Sequence, residues 1–79
     1  MGSSPLDNYV SAVKSAEETL KHYMRMRDEA KRVGNYKTAS KNHHSDGKVM
    51  NSYDWNIHNA KKNLKMAKER LAEAKKRYK

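Results

Sequence analysis

MNSYDWNIHNAKKNLKMAKERLAEAKKRY, residues 50–78, is the stretch on which the fold turns. Met50, Tyr53, Ile57, Ala60, Leu64, Ala67, Leu71, Ala74 and Tyr78 alternate steps of three and four. That spacing keeps them on one stripe of an α-helix, because a turn takes about 3.6 residues. In heptad terms the large residues fall at a, and d is mostly alanine. A short repeat underlies the stripe: Ala60-Lys61-Lys62-Asn63-Leu64, Ala67-Lys68-Glu69-Arg70-Leu71, Ala74-Lys75-Lys76-Arg77-Tyr78. Alanine at d lets another helix approach closely, so the stripe calls for a helical mate. This second helix is expected over about 48–78, with Asp46 and Asp54 both suited to its first turn.

The mate lies upstream. Leu6, Tyr9, Val10, Val13, Ala16, Leu20, Tyr23, Met24 and Ala30 also recur at helical spacing. Ser4-Pro5-Leu6-Asp7 offers a capping hydroxyl, a proline at the first helical position and an early acid. Val33-Gly34-Asn35 marks the end, since glycine accepts the left-handed conformation that closes helices. Lys31 and Arg32 suit the negative end of the helix dipole. A helix over about 5–33 would be about 43 Å long. In its frame a is Leu6, Val13 and Leu20, and d is Tyr9, Ala16, Tyr23 and Ala30.

Two long helices with a short connection pack antiparallel. The expected fold is therefore all-α: a single domain, residues 1–79, forming an antiparallel helical hairpin. The connector is about 34–47. Residues 35–41 are read as a short third helix at the bend, and residues 42–47 as a turn. The string Ala30-x3-Gly34-Asn35-Tyr36-x2-Ala39 is similar to the turn of tetratricopeptide-type helical pairs, though no repeat of about 34 residues accompanies it. Lys41-Asn42-His43-His44-Ser45 resembles the His-His-Ser turn of a helical ribosomal small-subunit protein family that contacts rRNA. That likeness spans five residues, and Asp46-Gly47 stands where the family continues with arginines.

The flanks of the two seams differ. Helix 1 carries Val10, Glu17 and Met24 at e, and Ala12, Thr19, Met26 and Val33 at g. Its apolar face is wider than one helix covers. Either the connector covers the surplus, or helix 1 pairs with a second copy to give a four-helix bundle. Helix 2 carries Lys61, Lys68 and Lys75 at e, which disfavours a parallel pair through that helix by like-charge repulsion. Trp55 falls at f, outside the seam. It either packs under residues 36–44 or stands exposed as a binding hot spot.

Charge points to an anionic partner. The chain has 79 residues and a net charge of +9. Residues 1–40 carry net +2 and residues 41–79 net +7. Between Lys61 and Lys79 there are nine basic and two acidic residues. Lys61, Lys62, Lys65, Lys68, Arg70, Lys75, Lys76 and Arg77 form a rail outside the seam. Such a rail follows a phosphate backbone by displacing counterions. It holds no evident base-reading logic, so recognition of backbone or shape is expected.

Other chemistry finds little footing. There is no cysteine, hence no disulfide, thiolate metal site or thiol nucleophile. The three glycines are isolated and build no phosphate loop. Asp54 and His58, four apart, read as an ordinary helix-surface pair. His43, His44 and Asp46, with His22 or His58, are the sole candidate metal cluster and read as polar loop residues. The reading is thus no catalytic site, no metal and no cofactor. No run is long and apolar enough to span a membrane, and no secretory leader is evident, so a cytoplasmic protein is expected. The leading functional expectation is a small nucleic-acid-binding protein. The alternative is an adaptor or inhibitor docking on a protein or nucleoprotein assembly through Val10, Met24, Met26, Val33 and Trp55. A structural or assembly component is a third reading.

Overall fold

The computed structural model describes residues 5–41, 43–45 and 47–78; residues 1–4, 42, 46 and 79 lie outside the described residues. Elements run in the order α1 (Asp7–Val33), β1 (His43–Ser45), β2 (Lys48–Met50) and α2 (Ser52–Arg77). The helices are antiparallel. Tyr9, early in α1, shares a depression with Ala74 and Arg77 at the end of α2. Ala30 and Val33, late in α1, share another with Tyr53 at the start of α2. The expected helical hairpin is the fold.

Burial follows the seam. Ala30, Ile57, Ala60 and Ala74 are the buried apolar residues among those described, all at the a and d positions read from the sequence. Leu6, Tyr9, Val13, Ala16, Leu20, Tyr23, Leu64, Ala67 and Leu71 are half-buried along it. Three of these four buried apolar residues are alanines, so the helices pack closely and enclose little volume. Among the described residues no large side chain is completely buried. The molecule measures 50 × 29 × 12 Å. A thickness of 12 Å is that of one helix, about 10–12 Å with side chains. The protein is a slab one helix deep, with two broad faces.

Local chemistry explains the helix ends. Gly34 takes φ 85°, the left-handed conformation open to glycine, and closes α1. The Asn35 and Tyr36 amides donate to the Ala30 carbonyl at 2.8 and 3.2 Å. At the other end α1 begins at Asp7 with Leu6 in the capping position and no side-chain cap; the expected cap, Ser4, lies outside the described residues. Asn51 caps α2: its side-chain carbonyl accepts from the Asp54 amide at 2.9 Å.

The connector differs from the expectation. Residues 35–41 form turns and not a third helix. Seven residues are too few to offset helix nucleation, and short polar side chains compete for the backbone: the Thr38 hydroxyl donates to the Asn35 carbonyl at 3.1 Å. Residues 43–50, read as turn and helix start, contain a small antiparallel β-hairpin. His43 pairs with Met50, His44 with Val49 and Ser45 with Lys48. Gly47 sits in its turn at φ 76°. The start of α2 accordingly moves from about 48 to Ser52. The hairpin packs on α2, and Val10, Met26 and Val33 of α1 are exposed.

Candidate nucleic-acid interface

The a and d positions hold the seam, so e and g positions fall on opposite sides of it. In an antiparallel pair, e faces e on one broad face and g faces g on the other. This divides the eight cations read as a rail. Lys61, Lys68 and Lys75 at e, with Lys62, Lys65 and Lys76 at f and b, form one lysine strip across one broad face and the outer edge of α2. Arg70 and Arg77 are at g, on the other side.

The strip is exposed throughout. The stems of Lys61, Lys65 and Lys68 wall a shallow depression floored by Leu64 and Ala72. Long lysine stems commonly cover apolar seam residues while their ammonium groups stay in water. Among the described residues no ion pair engages any of these six lysines; Arg77 alone on α2 is paired, with Glu73 at 4.0 Å. From Lys61 to Lys76 the strip extends about 22 Å along the helix.

The residues read as a protein interface are also divided. Val10 and Met24 belong to the lysine side. Met26 and Val33 belong to the other, where they line a depression with Ala30 and Tyr53. Val10, Met26 and Val33 are exposed and Met24 is half-buried.

Trp55 is half-buried and packs against the connector. The His43 ring stacks on it at 5.2 Å and 10°, and the His58 ring lies 6.2 Å away at 26°. Of its two expected settings, the structure has the one beneath the connector.

Next to this stack, a polar cluster locks the bend. Tyr36 stacks on Tyr53 at 6.2 Å, and its hydroxyl donates to the Asp54 carboxylate. That bond, with partial burial second, raises the Tyr36 pKa above its ordinary value of 10.0. The Lys31 ammonium sits 4.8 Å over the Tyr36 ring. Asn51, 6 % exposed, ties the connector to the helix: its amide donates to the Tyr36 carbonyl at 3.3 Å while its carbonyl caps α2. The Ser52 amide donates to the Ser40 carbonyl at 2.8 Å. Asp54, read from the sequence as a helix-surface pair with His58, also accepts the Tyr36 hydroxyl.

This cluster was not foreseen. An Asn before Ser-x-Asp is a recognisable helix start, but the Tyr36–Asp54 bond spans 18 residues and leaves no local signal. Among the described residues, no three His, Asp or Glu side chains gather closely enough to hold a metal ion; Asp46, one of the candidate ligands, lies outside them. No described helix is long and apolar enough to cross a membrane.

No family model, curated protein or solved structure matches the chain.

Proposed function

We propose that this protein binds nucleic acid through its phosphate backbone, along the lysine strip of α2. The observation that carries the reading is the run of six exposed lysines, Lys61, Lys62, Lys65, Lys68, Lys75 and Lys76, none held by an ion pair among the described residues. Lysine is a compact point charge with rotatable donors and suits a phosphate without demanding one geometry. The strip lacks the bidentate Arg, Asn or Gln constellations that read base edges. Binding is therefore expected to tolerate sequence. Arg70 and Arg77 play at most a peripheral part, since they flank the opposite face.

The adaptor reading draws less support. Its apolar contacts split, Val10 and Met24 to one side and Met26 and Val33 to the other, while Trp55 is half covered by His43. The test is fluorescence anisotropy with labelled duplex DNA, single-stranded DNA and RNA of mixed sequence. Comparable binding of scrambled sequences at low salt supports the proposal. Absence of binding to all three probes at low salt overturns it.

A further inference from the structure

The face opposite the lysines holds Met26, Val33 and Met66, three of the six large apolar side chains exposed among the described residues, at 42, 51 and 44 %. On this face a trough is floored by Ala12, Ser15, Ala16, Thr19, Ala60 and Asn63. It continues past Tyr9 and Met66 to Arg70, the one charged residue in this central stretch. In a chain where charged residues make up 34 %, such a length of uncharged surface is out of proportion.

The amount of exposed surface is a second, independent observation. The accessible surface is 6224 Å². A compact monomer of this mass would expose roughly 4,900 Å², so the slab exposes roughly 1,300 Å² beyond the expectation. A standard stable interface removes about 800 Å² from each partner. The excess is larger than the area such an interface removes from one partner.

We propose that this uncharged face takes a second copy of the chain, forming a two-fold-related four-helix bundle. Charge selects the occupant and the face. A +9 chain repels its own copy wherever lysines meet, and this is the broad face free of them. Two-fold pairing brings the same surface to both copies, so knobs and trough must fit each other. Met26 and Met66 are unbranched and adapt to such a fit, and the small trough residues admit close helix approach. At the bend end the charges around Met26 balance, with Arg25 and Arg32 against Asp28 and Glu29. The bundle would leave both lysine strips on the outside. This inference rests on apolar exposure and area, and it stands or falls separately from nucleic-acid binding.

The test is solution mass by sedimentation equilibrium and multi-angle light scattering, across micromolar to submillimolar chain, without nucleic acid. Two variants accompany the native chain: Thr19→Glu with Met66→Glu on the uncharged face, and Lys61→Glu with Lys68→Glu on the lysine face. The expected result is a dimer for the native chain and for the lysine-face variant. The uncharged-face variant should dissociate at least about thirtyfold more readily, the threshold of a hot-spot contact. Thr19 and Met66 are exposed in the single chain. If that variant also loses helix content on dissociating, pairing supports the fold, and the proposal stands. A native chain that remains monomeric throughout overturns it. So does a dimer indifferent to Thr19→Glu and Met66→Glu.

Discussion

The two broad faces of the slab share one seam and one pair of helices, and they differ only in what flanks it. On one side the e positions of α2 from residue 61 onward are lysines, exposed and, among the described residues, free of ion pairs. On the other, the g positions and their neighbours are alanine, serine, threonine, asparagine and methionine, with Arg70 the lone charge in the central stretch. The seam residues decide that a hairpin forms. The flanks decide what each face can meet: an anion on one, an uncharged surface on the other. On the proposed reading, fold and function occupy different heptad positions of the same helix, and they should separate under mutation.

The largest expected effect comes from the lysine face. Reversing Lys61, Lys65, Lys68 and Lys76 to glutamate should weaken nucleic-acid binding by at least about a hundredfold at moderate salt, since each lost phosphate contact steepens the loss. Circular dichroism should show the helices intact, because all four side chains are exposed. Binding unchanged by this variant would erase the distinction between the faces. Ile57→Ala instead strikes the seam that both faces share. Ile57 is 5 % exposed and the one large residue among the four buried apolar residues described. Its truncation should cost about 2–4 kcal/mol in urea unfolding, with nucleic-acid affinity kept under conditions where the helices remain folded.

Smaller effects belong to the bend. Asn51→Ala removes both the α2 cap and the bond to the Tyr36 carbonyl, and should lower stability by about 1–2 kcal/mol. Affinity for nucleic acid should stay within twofold or so, as the cap lies outside the strip; a large fall in affinity would mean that the bend, and not the lysine face alone, shapes the site. Tyr36→Phe removes the bond to Asp54 and should cost about 1 kcal/mol. Its signature is in pH. Folding raises the Tyr36 pKa above 10.0, so the folded state favours the protonated hydroxyl. The stability from this bond is whole below pH 10 and declines as pH rises from there through the folded value. The difference in urea midpoint between the native chain and Tyr36→Phe should therefore shrink in that alkaline window. A difference that persists unchanged would show that the bond does not govern it.

The sequence revealed the parts of this molecule that repeat. The a and d stripes, the close of α1 at Gly34 and the antiparallel pairing all follow from residues within a few turns of each other. The lysine strip was legible for the same reason, though the split of Arg70 and Arg77 from it needed the seam to be oriented first. The connector was not legible. Its strands are three residues each, too short for alternation to register, and the Asp46-Gly47 pair that favours a hairpin turn reads equally as a loop. The interlock of Tyr36 with Asp54, and the His43 ring on Trp55, depend on the chain reversing through that connector, which no local pattern encodes.

The most direct test of the central claim is the salt dependence of binding by the native chain to duplex DNA, measured by anisotropy. A lysine strip acting on phosphates predicts that log affinity falls linearly with log salt, with a slope of up to about −5 if all six lysines engage. Affinity that holds flat as salt rises would contradict it, and would move the binding surface away from the lysine face.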